Sequence, residues 1–355
     1  MYKMTSRERF RRMFDHKEAD RVPVIDAPWA TTIARWRREG MPEDMHFTEY
    51  FDLDKVTTIV VDNSPGFEDK VIEETDEYQI YTTKWGATVK TWKHKTSTPD
   101  YLDFKVKTSD DWRKVRERMT PSKDRIPWDH LAENYKKWRD EGRWLQLIVP
   151  FGFDYTHSHF VGTENFLVAL MDEPEWCVEM FNHFLDVGIA LMDMIIDAGY
   201  TFDSMYWWDD MGYKQNTFFS LDLYRELIKP AHKRAIDWAH GRNMVAHLHS
   251  CGDIRRLVPD LAGIGLDGLN PLEVKAGMDP VALKKEFGKT LLLHGGNNLV
   301  LWDDAEAATA EIRRLLPILK ESGGYIFSSD HSVPDSVSLE NFRIITDLAK
   351  ELGRY

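Results

Sequence analysis

Cysteine is scarce in this 355-residue sequence, which contains only Cys177 and Cys251. Two thiols cannot build a disulfide framework, so a reducing cytoplasm is the default location. The sequence also lacks a run of about 18 apolar residues, the length that a transmembrane helix needs. Its first residues lead into a charged amphipathic helix and contain no apolar core typical of a signal peptide. The sequence therefore predicts a cytoplasmic protein without a membrane segment.

Positive charge is also in short supply. There are 46 Lys and Arg residues against 59 Asp and Glu residues, which gives a formal net charge of −13. A general nucleic-acid binder needs a basic face to neutralise phosphates, so we expect no nucleic-acid partner. The hydrophobic fraction of 43% and the charged fraction of 30% are those of an ordinary globular protein. An enzyme acting on small molecules fits this composition.

Strand-like and helical patterns alternate along most of the chain, and such alternation predicts parallel pairing. An open doubly wound sheet is the alternative, but it usually carries a glycine-rich phosphate loop after its first strand. Here Ala27-Pro28-Trp29-Ala30 occupies that place. We therefore predict a single (β/α)8 TIM barrel over residues 1–355. The eight predicted strands lie near residues 24, 59, 147, 205, 247, 268, 292 and 326.

Residues 69–95 depart from this alternation. Short runs at Val71–Glu74, Tyr78–Thr83 and Thr88–Lys93 are typical of strands, with a turn at Trp85-Gly86. The pattern indicates antiparallel pairing between neighbours in sequence. We predict a β meander inserted into the barrel after its second strand.

His249-x-Cys251 lies where a predicted strand ends, and we expect a helix to begin at Asp253, a good N-cap residue. Residues two apart in a strand point to the same face, so the imidazole and the thiol could hold one ion. The alternative is a buried histidine and a buried free cysteine in an ordinary strand. The pair alone does not decide between these two interpretations.

The predicted barrel brings further donors to the same rim, because the chemistry of such barrels lies at the carboxyl ends of the strands. Catalytic zinc sites use three N, S or O ligands and leave one position open. Each candidate also has an alternative role: His294 could hydrogen-bond a loop, Glu273 could cap a helix, His331 could bind substrate and Cys251 could simply be packed. The five candidate metal ligands come from four consecutive strand ends: His249, Cys251, Glu273, His294 and His331.

Asp209 and Asp210 follow the fourth predicted strand and are the candidate catalytic residues, as general acid, base or substrate anchor. Adjacent residues cannot both point into one pocket, so we expect one to serve chemistry and the other to orient the loop. A solvated acidic loop is the alternative. Apolar walls with a few polar groups are usual in small-molecule sites. The predicted substrate-binding residues are Trp29, Phe153, Tyr155, His157, Trp207, Trp208 and Asn270.

Several segments resemble the uroporphyrinogen decarboxylase and corrinoid-methyltransferase superfamily, which is built on a (β/α)8 barrel. The resemblance covers nearly the whole chain and is weakest between residues 60 and 140. It is specific for the superfamily and less so for the reaction. The segments that carry it are Trp208-Asp209-Asp210-Met211-Gly212, His249-Ser250-Cys251-Gly252-Asp253-Ile254, Asn270-Pro271-Leu272-Glu273, Gly295-Gly296 and Ser329-Asp330-His331-Ser332-Val333-Pro334.

Two short segments distinguish the decarboxylase branch of this superfamily from the methyltransferase branch, and both can be compared with this sequence. The decarboxylase branch carries an Arg-Gln-Ala-Gly-Arg segment after its first strand for substrate carboxylates, whereas this sequence reads Asp26-Ala27-Pro28-Trp29-Ala30-Thr31-Thr32. In the methyltransferase branch, His249 and Cys251 resemble two of the zinc ligands. Its third ligand is a cysteine near the eighth strand, where this sequence has His331, and imidazole is an acceptable zinc ligand.

The resemblance to the methyltransferase branch therefore implies a zinc-dependent methyltransferase. It would carry out O-demethylation of a small methylated compound, such as a methoxylated aromatic, with bound zinc as cofactor. The methyl group would pass to a corrinoid on a separate partner protein, since no corrinoid-binding domain is evident. One alternative is a cofactor-independent decarboxylase that acts on a different acid through His331 and Asp210. Another is a barrel that only binds a ligand. A homodimer and a monomer both remain open.

Overall fold

The computed structural model describes residues 3–94 and 96–355. No helix within these two stretches is long and apolar enough to cross a membrane. The strands are β1 (Val56–Val60), β2 (Lys70–Glu74), β3 (Tyr78–Thr82), β4 (Ala87–Trp92), β5 (Asp100–Phe104), β6 (Trp144–Ile148), β7 (Ser204–Trp208), β8 (Gly212–Tyr213), β9 (Asn216–Thr217), β10 (Val245–His249), β11 (Gly268–Asn270), β12 (Leu292–His294) and β13 (Tyr325–Ile326).

The α-helices are α1 (Ser6–Phe14), α2 (Ala30–Arg38), α3 (Phe47–Tyr50), α4 (Ser109–Val115), α5 (Trp128–Asp140), α6 (Thr163–Asp172), α7 (Pro174–Asp197), α8 (Leu221–Leu223), α9 (Lys229–His240), α10 (Val258–Gly263), α11 (Pro280–Phe287), α12 (Ala305–Leu319) and α13 (Leu339–Leu352). Two π-helical segments interrupt this pattern, at Tyr155–Val161 and Tyr224–Ile228. Short 3-10 turns occur at Arg116–Arg118, Lys123–Arg125, Val274–Ala276 and Leu299–Leu301.

Seven of the strands form one parallel sheet in the order β1-β6-β7-β10-β11-β12-β13. All six pairings are parallel, and helices lie between consecutive strands from β6 onwards. The parallel pairing agrees with the alternating pattern, because parallel neighbours need a crossover connection. The regular sheet has seven strands and not the eight of the predicted (β/α)8 barrel.

The first predicted strand, near residue 24, is not a regular strand. Val24 forms a parallel bridge with Phe327, just after β13, and its carbonyl accepts a hydrogen bond of 2.9 Å from the Asp54 amide, just before β1. Pro23 has no N–H to donate, which shortens the ladder that this segment can build. The segment therefore contacts the chain next to both edges of the seven-stranded sheet through isolated hydrogen bonds.

The side chains of the parallel strands alternate between two environments. Outward residues such as Leu147, Trp207 and Leu248 pack into the large buried core with the helices. Inward residues such as Tyr206 and His249 line an interior cavity. The period of two along each strand produces this division.

Helix α1 covers the amino-terminal end of the sheet. Phe10 and Phe14 both stack on Trp144, the first residue of β6, with ring centroids 5.4 Å apart in each case. A capping box between Thr5 and Glu8 fixes where this helix begins. The amino-terminal end of the cavity is thereby closed by apolar rings.

Strands β2 to β5 form a separate four-stranded antiparallel sheet, in sequence order. Its fourth strand, Asp100–Phe104, lies beyond the predicted 69–95 region, and residue 95 is outside the described residues. The Tyr101 hydroxyl lies 2.9 Å from His159 Nδ1, which connects this sheet to the π-helical segment after β6.

The helix predicted to begin at Asp253 begins five residues later, at Val258, so that prediction was wrong. The Asp253 carboxylate instead accepts hydrogen bonds from the backbone and the guanidinium of Arg255. A carboxylate engaged in this local turn does not cap a helix. Pro259 stands in the first turn of α10, where its missing N–H costs nothing.

Candidate metal and substrate site

A cavity of about 590 Å³ is lined by the inward-facing side chains of the seven-stranded parallel sheet. It extends from Phe10 near the amino-terminal end to His331 and Ser332 beyond the carboxyl ends of the strands. Its volume is sufficient for a small organic molecule. The lining residues are Phe10, Ile25, Asp26, Ala27, Val56, Thr58, Gln146, Ile148, Tyr206, Trp208, Asp210, His247, His249, Cys251, Asn270, Pro271, His294, Ser328, Ser329, His331 and Ser332.

Strand register sets the arrangement of this wall. His249, the last residue of β10, lies opposite Trp208 on β7 and opposite Asn270 on β11. All three side chains face inward at the carboxyl ends of their strands. The turns that follow β7 and β10 then bring Asp210 and Cys251 to the same place.

Asp210, His249 and Cys251 form a compact group of possible metal ligands. One ligand atom from each lies within 4.8 Å of the others, and it is the only such group of three or more in residues 3–94 and 96–355. His249 Nε2 is 3.3 Å from Cys251 Sγ and 3.6 Å from Asp210 Oδ1. The Cys251 amide also donates to Asp210 Oδ1 at 2.7 Å, which holds the carboxylate in position.

The hydrogen bonds of His249 fix which ring nitrogen faces this group. Its Nδ1 lies 2.6 Å from Asn270 Oδ1, an acceptor that also receives the Tyr206 hydroxyl at 3.2 Å. The amide nitrogen of Asn270 points the other way, towards the His294 carbonyl. His249 Nδ1 therefore carries the proton, and Nε2 directs a lone pair at Cys251 and Asp210.

The three other predicted ligands lie apart from this group. Glu273 accepts a hydrogen bond of 2.7 Å from the Gly252 amide and lies 3.5 Å from the Lys275 ammonium. His294 is buried, with Nδ1 3.4 Å from His247 Nε2. His331 lines the cavity near its mouth. Its ring and that of Trp29 are arranged edge to face, with centroids 6.2 Å apart. The structure thus brings together His249 and Cys251 with Asp210, which the sequence had suggested for catalysis.

The two adjacent aspartates point in different directions. Asp210 faces the cavity, whereas Asp209 is fully buried and accepts from His232 and from the Asp154 amide, at 2.7 Å in both cases. Burial raises the pKa of Asp209. Gly152, with a φ of +97°, passes so close that a Cβ atom there would lie 2.6 Å from Asp209 Oδ2. Asp209 therefore anchors the β6 loop to the β7 loop.

The predicted substrate-binding residues are divided between the cavity and the core. Trp208 and Asn270 line the cavity. Trp207, one residue from Trp208, points outward and packs against Phe151 with ring centroids 5.6 Å apart. The remaining four lie outside the cavity lining: Phe153 and His157 pack together 4.3 Å apart, Tyr155 packs on Trp85, and Trp29 lies against His331.

Tyr206, His247 and Asp26 also line the cavity and were not predicted. The strand period would have found two of them, since Tyr206 and His247 precede Trp208 and His249 by two residues on the same faces. Burial lowers the pKa of His247 to about 3. Asp26 follows a segment without regular strand pairing. The two-residue period of a strand therefore does not predict which way its side chain points.

Burial also raises the pKa values of acidic side chains close to Asp210, His249 and Cys251. The pKa of the Cys251 thiol is well above its usual value because the thiol is desolvated and lies near Asp210 and Glu273. Desolvation, together with the charge of Asp210, raises the pKa of Asp154 to about 8. A divalent cation at this place would offset the part of these pKa shifts that comes from neighbouring carboxylates.

Asp26 also lines the cavity and is held by Ser329. Its carboxylate accepts from the Ser329 amide at 3.1 Å, and its Oδ1 lies 2.7 Å from Ser329 Oγ. The same hydroxyl also bonds the His331 carbonyl, and it has only one proton to give. Both contacts are satisfied when Asp26 is protonated, in agreement with its pKa, which burial raises to about 6.

Asp26→Asn is expected to stabilise the protein more at pH 8 than at pH 5, by about 1–2 kcal/mol. Because the folded-state pKa lies above the unfolded value, the cost of ionising Asp26 is absent below pH 4. It grows as the pH rises towards 6 and is complete above that. Urea unfolding of both proteins at the two pH values measures the difference. A stability change independent of pH would contradict this assignment.

Comparison with known proteins extends these observations. The family model described as "Uroporphyrinogen decarboxylase (URO-D)" matches residues 155–352, more than half of the chain. The chain belongs to the URO-D family. The matched residues contain Asp210, His249 and Cys251, whereas Asp26 lies before them. The predicted membership of the URO-D and corrinoid-methyltransferase superfamily is confirmed.

A solved structure described as "methyltransferase from Methanosarcina mazei" is similar over 98% of this chain and 99% of that chain. The TM-score is 0.66 and the sequence identity 16%, so the likeness concerns the fold. No curated protein sequence matches the chain. The URO-D fold is thus supported from both the family model and the structural comparison.

Proposed function

We propose that this protein is a zinc-dependent methyltransferase that moves a methyl group from a small methylated compound to a corrinoid on a partner protein. The observation that carries the proposal is the group of Asp210, His249 and Cys251 on the wall of a cavity sized for a small molecule. The similarity in fold to a structure described as a methyltransferase is consistent with it.

Two of the three distances between the possible ligand atoms suit zinc, and the third lies within 4.8 Å. Tetrahedral bonds of about 2.0–2.3 Å place neighbouring ligand atoms about 3.3–3.6 Å apart. The distances from His249 Nε2 to Cys251 Sγ and to Asp210 Oδ1 are 3.3 and 3.6 Å. One N, one S and one O donor would leave a fourth position for the substrate, as in catalytic zinc sites.

Bound zinc would act as a Lewis acid towards the oxygen that carries the methyl group. His249 is oriented for this site by Asn270, and Asp210 by the Cys251 amide. Trp208 and Tyr206 provide aromatic wall beside the donor, with rings 5.6 Å apart. When the methyl group leaves, the donor oxygen keeps the bonding electron pair and takes up a proton. Asp26, which lines the same cavity and has a pKa of about 6, is our candidate for supplying this proton.

The proposal is tested by metal analysis and by methyl transfer to free reduced corrinoid. We expect about one zinc per chain after purification without chelator, and a change in the corrinoid absorbance spectrum with a methoxylated aromatic donor. Protein free of zinc that releases carbon dioxide from an organic acid would favour the decarboxylase alternative. Zinc-free protein that catalyses neither reaction would rule out the proposed function.

A further inference from the structure

The described residues that line the cavity include no Lys or Arg, the two side chains best suited to pairing with a buried anion. Its acidic side chains are Asp26, Asp210 and the Cys251 thiol. A family that acts on acids would be expected to present basic groups here, since a buried carboxylate needs a charged or strongly hydrogen-bonding partner.

Most of the basic groups nearest to the cavity have polar partners within the protein, and His331 at the mouth contacts Trp29. His247 Nε2 and His294 Nδ1 lie 3.4 Å apart, so one ring must accept and cannot be a cation. His249 presents a lone pair to Cys251, and His331 lies near the mouth against Trp29. Lys275 lies outside the cavity lining and pairs with Glu273. Among the described residues, neither Lys nor Arg therefore faces the interior.

A bound divalent zinc would not reverse this balance. The Asp210 carboxylate and a Cys251 thiolate would together neutralise its charge of +2, while His249 binds as a neutral ligand. Asp26 then contributes either zero or −1, according to pH. The net charge facing the substrate lies between zero and −1 with zinc bound, and is more negative without it.

We infer that the cavity selects against anions and that the methyl donor is an uncharged or cationic molecule, such as a neutral phenyl methyl ether, and not a carboxylate-bearing one. The identification of the ligand as a methyl donor rests on the proposed function, whereas the charge preference rests on the cavity alone. Asp26 and Asp210 set this preference by repelling anions that enter the cavity.

Alkylation of Cys251 measures the preference without knowledge of the substrate. Iodoacetamide and iodoacetate have nearly the same size and both react with a thiolate, which forms an S–C bond and releases iodide. Only iodoacetate is anionic. The two rates at Cys251 are followed by peptide mass spectrometry on full-length, zinc-depleted protein, and their ratio is compared with the ratio for 2-mercaptoethanol, a neutral thiol.

We expect the iodoacetamide to iodoacetate rate ratio at Cys251 to exceed that of the free thiol by about tenfold or more. Asp26→Asn should lower the ratio, whereas Asp62→Asn, outside the cavity and paired with Lys84 at 3.0 Å, should leave it unchanged. A ratio equal to that of the free thiol overturns the inference. So does a ratio that Asp26→Asn leaves unchanged, because Asp26 would then not contribute to the preference.

The outcome is separable from that of the proposed function. Zinc content and methyl transfer are measured on untreated protein, while the alkylation ratio is measured after zinc removal. A raised ratio in a protein that neither binds zinc nor transfers methyl groups would keep the charge preference and discard the function. A protein that binds zinc and transfers methyl groups but shows no raised ratio would keep the proposed function, and its methyl donor could then be an anion.

Discussion

Cys251→Ala is expected to remove the bound zinc and to lower methyl transfer by more than about 100-fold. Substitutions of residues that only support metal ligands already cost about 10–100-fold in metal affinity or activity, and loss of a ligand should cost more. Cys177→Ala is the matched control, because Cys177 is fully buried in α7 and lies among core residues. It should retain its zinc and its activity per folded molecule.

The measurement is zinc per chain by atomic absorption, together with the rate of methyl transfer. Thermal unfolding of both variants checks that any zinc loss is not the result of misfolding. Cys251 is only partly buried, so its replacement should leave the fold intact. Full zinc occupancy in Cys251→Ala, or equal zinc loss in Cys177→Ala, would be incompatible with the proposed ligand set.

Replacing the two adjacent aspartates should have opposite consequences. Asp209→Ala is expected to destabilise the fold by about 3 kcal/mol or more, since it leaves buried partners unpaired. Those partners are His232, whose Nε2 lies 2.7 Å from the carboxylate, and the Asp154 amide. Asp210→Ala should cost about 1 kcal/mol or less and should instead weaken zinc binding, because its side chain faces the cavity.

Urea unfolding and zinc titration, both carried out on each variant, provide the test. Asp209→Asn is a useful companion, since it keeps the size of the side chain and one acceptor oxygen, and should lose less stability than Asp209→Ala. If Asp210→Ala unfolded more readily than Asp209→Ala, or bound zinc as the wild type does, the division of roles described for this pair would be wrong.

Much of the architecture follows from local pattern. Apolar strands such as Val245–His249 alternate with helical segments, and a parallel sheet is the arrangement that can connect them. The position of His249 and Cys251 at a strand end, two residues apart, also follows from sequence, because side chains with that spacing share a face. The superfamily was likewise recognisable from short segments around these residues.

The position of Asp210 depended on more than local pattern. Local sequence does not tell which of two adjacent carboxylates turns inward. Here His232, which reaches Asp209 from the following helix, settles that Asp209 is buried and Asp210 faces His249. The same applies to Glu273, which the Gly252 amide engages across two loops. Contacts between residues distant in sequence decide such choices.

The sequence by itself determined the class of fold, the family and the pair His249 and Cys251. The fold class depends on the order of local patterns along the chain, the family on several short segments, and the pair on spacing within one strand. Only the tertiary structure decided which third group joins that pair. It also decided which aromatic rings line the cavity and that Asp26 faces it from outside the regular strands. These depend on strand register, on the direction of loops and on burial, which arise when distant segments pack together.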